Sequence, residues 1–408
     1  MPQDAAATPR FREGLPPPMP RWTGNPPFNF VGGHNDAAAL PVEALTRAAA
    51  EAMAAEGAGL AMYNGHGGPL GHKGLREFTA DALRRRTGMA CDPDEVLIVS
   101  GSLQALDLVN AALLAPGDVV ITEMATYGGA LTRIRGRGAE PVGVETDDHG
   151  MVPARLAETL ERLSAEGRRP KYLYLIPTVQ NPTGTIMPEA RRREILDLAR
   201  AHDVTIFEDD CYADLVFSGP RPRAIRALAE PGRVIYCGSY SKSIAPALRV
   251  GFLVADWEVL RRIAPLKSDA GTGAVEQMVL ARYAPGAFDA HCEALSAALR
   301  RKCEVMAEAL DAQFGATAEY RMPDGGIFIW VRMPEQVDTS RLAQVALAEG
   351  VAINPGAEWC ADAAAGRRSF RLCFANPTEE VIREGVARLA EICRREFGVP
   401  ERRANVAG

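Results

Sequence analysis

The sequence predicts an α/β protein: a three-layer large domain built on a mostly parallel sheet, with a smaller α+β domain beside it. Three observations predict this. Short apolar runs alternate with amphipathic stretches through the middle of the chain, the sequence form of strands covered by helices. The 408 residues, 47% hydrophobic and 24% charged with a net charge of -6, suit one large domain plus a smaller one. Several apolar runs also end in polar residues at their C-terminal edge, where open parallel sheets bind ligands.

Taken in order, residues 1–27 are rich in proline and lack periodicity, and read as an extended arm that stays mobile or wraps a neighbour. Residues 28–60 belong with 296–408 in the small domain, and 61–295 form the large one. "DEVLIVSGS" (94–102) reads as a strand running into a helix, where Leu103, Leu106, Val109, Asn110 and Leu113 recur at helical spacing. "VVITE" (119–123) and "KYLYLIPT" (171–178) are strands, followed by a helix that Pro188 opens. "VTIFEDD" (204–210), "RVIYCGSYS" (233–241) and "RVGFLVA" (249–255) complete the sheet. A long helix from about residue 294, strands at 325–334, 351–356 and 369–375, and a closing amphipathic helix build the small domain.

Composition narrows the function. Mild acidity and the lack of a dense basic block argue against a nucleic-acid surface, and the arginine triplets at 84–86 and 191–193 read as solvated helix faces. Eight cysteines stand singly, without C-x-x-C or histidines at metal spacing, so neither a metal site nor a disulfide framework is expected. A reducing compartment fits. No signal-peptide core and no run of ~18 apolar residues appears, so a cytoplasmic location is expected, with no membrane partner.

The polar strand ends describe one ligand. A helix opening at Ser102 offers free N–H groups and a hydroxyl to an anion, and Ser239, Ser241 and Arg249 suit the same phosphate. Asp209 can hold a ring nitrogen protonated, although Asp210 beside it offers the same group. Asn181 can bond a phenolate-type oxygen, Tyr127 can stack, and Lys242 supplies an amine. A phosphate cup, an acid for a pyridine, a stacking face and an imine-forming lysine together describe pyridoxal 5'-phosphate.

The chain resembles the fold type I pyridoxal-phosphate enzymes of the class I/II aminotransferase family, in the branch like the aminoadipate and aromatic aminotransferases. The resemblance rests on "YNGHGG" with "GLREF" (63–78), "SGSLQALDL" (100–108), "PGDVVITEMATY" (116–127), "NPTG" (181–184), "EDDCY" (208–212), "SYSKSIAPALRVGF" (239–252) and "FRLCF" (370–374). It implies that Lys242 bonds the cofactor and shuttles the proton, that Asp209 partners the pyridine nitrogen, and that Asn181 and Tyr212 contact the ring oxygen. It further implies a ring-stacking Tyr127, phosphate ligands at Ser102, Ser239, Ser241 and Arg249, and a carboxylate-gripping Arg371. Tyr63 would reach the phosphate of the other subunit, so a homodimer with shared sites is implied.

Departures accompany the match. Leu103 replaces a common polar residue, leaving only its backbone N–H for the phosphate. "EMATY" lacks a common proline, and Cys211 replaces another; neither is expected to touch the chemistry. "FVGGHNDAAALP" (30–41) departs most, placing Gly33 and His34, with Asn35 and Asp36, toward the substrate and suggesting a polar or acidic-to-amphoteric side chain. The implied reaction moves the α-amino group of an L-amino acid to a 2-oxo acid through ping-pong half reactions. A lyase, cyclase or oxidase on the same scaffold is the alternative. A regulator with a DNA-binding domain ahead of the fold is disfavoured by the short arm.

Overall fold

The computed structural model describes residues 18, 19, 21, 22 and 24–400; the remainder of the expected arm, residues 1–17, 20 and 23, lies outside the described residues. Seven strands form the central sheet: β1 (Val96–Val99), β2 (Val119–Glu123), β3 (Glu140–Val144), β4 (Pro170–Leu175), β5 (Thr205–Asp209), β6 (Val234–Ser239) and β7 (Gly251–Val254). Their spatial order is β1-β7-β6-β5-β4-β2-β3. All neighbours run parallel except β7, which is antiparallel to both β6 and β1. The connection from β6 to β7 is too short for a crossover helix, so β7 turns back on its neighbour.

Successive residues serve opposite faces. Leu97 and Val99 enter one apolar cluster while Val96 and Ile98 enter another, and Val120 and Ile121 divide in the same way. The sheet is therefore covered on both sides, which keeps its strands apolar throughout. No helix among the described residues is long and apolar enough to cross a membrane.

A second, antiparallel sheet has the order β8 (Glu319–Tyr320), β9 (Phe328–Arg332), β11 (Ser369–Cys373), β10 (Asn354–Pro355). The helix Ala274–Phe314 leads from the first sheet toward the second and passes Pro285 without ending. Proline removes one helical hydrogen bond there, and burial of Tyr283, Phe288 and Leu295 on either side offsets that loss. The expected boundary at 296 thus falls inside one continuous helix. The closing helix Glu379–Phe397 begins at Thr378, whose hydroxyl accepts from the Val381 N–H, and ends at left-handed Gly398.

Within the arginine triplets Arg84, Arg85 and Arg193 are solvated as expected, whereas Arg86 is half-buried and Arg192 fully buried. Arg85 and Arg86 pair with Asp289, and Arg86 also with Asp214. Arg192 is fully buried and donates to the carbonyls of Pro177, Met187 and Arg223. It ties the end of β4 to the helix Glu189–Ala201.

At the C-terminal end of β2, Glu123 is fully buried. Its Oε2 accepts from the Ile176 N–H and from Gln180 Nε2, each at 3.2 Å, while Oε1 has no partner. Burial foremost pushes its pKa up to about 8; the two hydrogen bonds oppose this and the nearby Asp209 charge adds to it. A carboxyl whose folded pKa is raised contributes fully below its unfolded pKa, and that contribution is lost as pH rises through the folded value. Glu123→Gln keeps the acceptor and removes the ionisation. Urea denaturation should therefore show the variant gaining stability over the parent between pH 5 and pH 8.5, by about 4 kcal/mol at most. A difference that does not change with pH would show that Glu123 does not titrate in this range.

Candidate active site

The C-terminal ends of β4, β5 and β6, the start of the helix Ser102–Leu113 and one end of the second sheet converge on a cavity of about 330 Å³. Larger depressions lie elsewhere on the surface, including one of about 480 Å³. Chemistry rather than volume singles this cavity out: Lys242, Asp209, Asn181, Tyr127, Tyr212, Arg249 and Arg371 all line it.

Lys242 follows β6, where the chain leaves the sheet. Its Nζ donates to the Gly33 carbonyl and lies 5.6 Å from the centre of the Tyr212 ring. Burial lowers its pKa, and the Arg371 and Arg249 charges act in the same direction, so the neutral amine is favoured relative to a free lysine.

Arg371 enters from β11 and is 4% exposed. Its guanidinium carbon sits 3.6 Å from the centre of the Phe328 ring and 3.7 Å from that of Trp359. Nη1 donates to Asn181 Oδ1 at 3.0 Å, and Nη2 donates to the Val31 carbonyl and to Asn354 Oδ1. Nε is buried without a partner. Burial brings the pKa down to about 10, and the group remains a cation at neutral pH. It has an open donor and no carboxylate partner among the described residues, so it is prepared for an anion.

Asp209 ends β5 at the cavity floor. Tyr174 Oη donates to its Oδ2 at 2.7 Å and the Cys211 N–H to its Oδ1 at 3.4 Å. Burial raises its pKa, and these hydrogen bonds oppose the rise. The neighbouring Asp210 is engaged instead by Arg221 at 2.6 Å and by Tyr236 Oη at 3.0 Å, and does not line the cavity. Cys211 does touch this acid, against expectation. Its sulfur, the Cys237 sulfur and an Asp209 oxygen lie within 4.8 Å of one another. The Cys211 pKa is held well above ordinary by hydrogen bonding with Cys237 and by burial, and burial helps raise that of Cys237. Both thiols therefore stay protonated and can act as weak donors.

The anion end is equally specific. The helix Ser102–Leu113 has Gly101 at its N-cap and no side chain capping its first N–H groups. A Cβ on Gly101 would lie 2.4 Å from Arg249 Nη2, so only glycine admits the guanidinium so close. Ser241 Oγ is buried with no hydrogen-bond partner. Free N–H groups, a guanidinium and an unpaired hydroxyl fit the phosphate of pyridoxal phosphate; Asp209, Tyr127 and Lys242 fit its ring nitrogen, ring face and aldehyde. The residues present suit that cofactor.

Other expected residues lie elsewhere. Ser239 is buried, but its hydroxyl accepts from the Ser241 N–H and it does not line the cavity. Ser102 and Leu103 do line it, as does Gly33. His34 is exposed with its ring beside Gly32, outside the cavity, and Asp36 pairs with Lys302 at 2.7 Å. Tyr63 is 86% exposed and borders the 480 Å³ depression with residues 269–273. Sequence reasoning missed Trp359, Phe328 and Asn354. Each lies in or beside a strand segment and carried no signal of its own beyond position near "FRLCF".

The chain matches the family model Aminotransferase class I and II over residues 31–389. It is 34% identical to aromatic-amino-acid aminotransferase 1 of Thermococcus litoralis over 91% of this chain and 88% of that protein. It is also 34% identical to the 2-aminoadipate transaminase of Thermus thermophilus, over 89% of each. The crystal structure of Pyrococcus horikoshii kynurenine aminotransferase in complex with PMP superposes with a TM-score of 0.86 at 33% identity, over 92% of each chain. The cavity chemistry and these likenesses agree: the chain belongs to the class I and II aminotransferase family, with pyridoxal 5'-phosphate as its cofactor.

Proposed function

We propose that the protein transfers the α-amino group of an L-amino acid with an uncharged, apolar or aromatic side chain to a 2-oxo acid, in two half reactions that share one site. The observation that carries this reading is the presence of Lys242 and a buried, open-handed Arg371 in one cavity. Pyridoxal phosphate supplies the aldehyde for amino-group exchange and a ring that accepts the electron pair left at Cα. The chain does the rest. Arg371 takes the substrate carboxylate, and its aromatic sandwich fixes the plane of that contact. Lys242 Nζ, kept available as the neutral amine by burial, accepts the Cα proton in the first half reaction and returns one in the second. Asp209 holds the positive end of the ring, with Tyr174 fixing the carboxylate.

The side-chain preference rests on the lining. The cavity's apolar lining includes Val31, Ile176, Phe328 and Trp359, and its lining cations are Lys242, Arg249 and Arg371. Each cation has a role already, which leaves none among the described residues of this one chain's lining for a second substrate carboxylate. The relative named for aromatic amino acids supports the same preference, whereas the equally identical relative named for 2-aminoadipate carries an acidic substrate in its name.

The exposed apolar residues Leu60, Met62 and Tyr63 lining the 480 Å³ depression support a homodimer in which Tyr63 completes the partner's site. Eight free, buried cysteines support a reducing, cytoplasmic setting. The two sheets support a large domain at 61–295 and a small one at 28–60 with 296–408.

Borohydride treatment of the holoenzyme should fix the cofactor on the peptide containing Lys242, and Lys242→Ala should lose both that adduct and about a thousandfold of the exchange rate. Adduct on another lysine ends the assignment. Across an amino-acid panel, phenylalanine, leucine and methionine should exceed aspartate in kcat/KM by at least about 10-fold; the reverse order would place a cation that the lining does not offer. Light scattering should return about twice the 43.8 kDa chain mass, and a monomer active at full rate would refute the shared site.

A further inference from the structure

We propose that Asn35 is a positioning residue for Lys242, and that the segment from Val31 to Asp36 is a strap that orients the lysine whenever its amine is free. The inference rests on the reading of Lys242 as the reacting amine. Asn35 Nδ2 donates to the Lys242 carbonyl at 2.7 Å, across 207 positions of sequence. Two residues earlier, the Gly33 carbonyl accepts from Lys242 Nζ. One short segment therefore holds both ends of the lysine.

The strap is anchored on either side. The Val31 carbonyl accepts from Arg371 Nη2 at 3.1 Å, and the Asp36 carboxylate pairs with Lys302, whose Nζ also donates to the Ala375 carbonyl at 2.8 Å. A Cβ on Gly33 would lie 3.4 Å from Nζ, an ordinary van der Waals contact, so the carbonyl contact does not itself depend on glycine. Asn35 Oδ1 is buried without a hydrogen bond. Leaving that oxygen unpaired costs stability, so the amide is held for its donor end rather than for its own satisfaction.

The consequence is kinetic. A lysine side chain has four rotatable bonds and loses most of its freedom when fixed. While it is bonded to the cofactor that bond restrains it. During the remainder of the cycle, among the described residues, the strap supplies the hydrogen bonds that hold it beside the Tyr212 ring, and small misplacements of a proton acceptor cost about 100-fold in rate.

Asn35→Ala holoenzyme should show a donor half reaction slowed 10- to 100-fold in single-turnover measurements, with KM for the amino acid within about twofold of the parent. The cofactor-free protein gives a second readout. Reductive methylation of Lys242, read by peptide mapping against the exposed Lys73, should be at least about threefold faster in Asn35→Ala than in the parent. Asp36→Asn, which releases one anchor, should move both readouts the same way by less, and it carries the test if Asn35→Ala does not fold. A folded variant with an unchanged half reaction, an unchanged methylation ratio, or a change confined to KM overturns the strap. If borohydride fixes the cofactor elsewhere than on Lys242, the functional reading fails instead, and the two failures are thus distinct.

Discussion

A guanidinium buried without a carboxylate is the constraint around which this cavity is built. Taking a cation out of water costs several kcal/mol even after relaxation, and Arg371 recovers part of that cost from two aromatic faces, two side-chain amide oxygens and a backbone carbonyl. None of these partners carries a full negative charge. Part of the desolvation cost therefore remains, as the lowered pKa shows, and the charge itself is left for the substrate carboxylate. Trp359 adds a further link, since its ring lies 5.8 Å from that of Tyr127 and its carbonyl accepts from the Thr126 N–H. The wall behind the carboxylate and the wall beside the cofactor ring are one packed unit.

The same constraint explains why distant parts of the chain meet here. Asn181 comes from the loop after β4, Asn354 from β10 and Val31 from the segment before the first helix, and all three end on Arg371. Gln180 holds the loop of Asn181 in place: its Nε2 donates to Glu123 and to the Ala125 carbonyl, and its Oε1 accepts from Thr183. Substrate contact, strand ends and the segment that holds Lys242 are mechanically continuous. A change at any one of them reaches the others through a hydrogen bond or two.

Much of this was legible in the sequence because the pattern is local. Asp209 and Ser239 terminate apolar runs and Asn181 and Lys242 lie just past others, which fixes their edge of the sheet before any coordinates are known. Strand β3 was not legible: "EPVGV" contains a proline and a glycine and lies at the sheet edge, half-exposed, so no apolar run marks it. The reversal of β7 had a signal in the short gap after Ser241, since a parallel return needs a dozen residues or more. The Arg371 sandwich had none, because Phe328 and Trp359 approach it only after two strands and a turn have packed. His34 illustrates the opposite hazard. A polar residue in an unusual motif invited a role at the substrate, yet the backbone around Gly32 and Gly33 turns its ring outward and gives the inward contact to Asn35.

The carboxyl groups beneath the cavity complete the electrostatic argument. Glu123 and Asp209 are both buried at the C-terminal ends of β2 and β5, with β4 between them; burial raises the proton affinity of both, and the Asp209 charge raises that of Glu123 further. Two such acids in a low-dielectric region do not both ionise easily. Their surroundings differ in a way that decides which one yields: Asp209 has Tyr174 and Cys211 as donors and faces the cavity, while Glu123 keeps one oxygen without a partner and is pushed up to about 8. At neutral pH the proton therefore resides mainly on Glu123. Asp209 faces the cavity, where its carboxylate can serve a cationic ring nitrogen. Asp210 does not compete, because Arg221 already neutralises it. The four buried carboxyl groups in this span thus differ in their partners: Glu123 holds a proton, Glu208 accepts from the Ile225 and Arg226 N–H groups, Asp210 pairs with Arg221, and Asp209 faces the cavity.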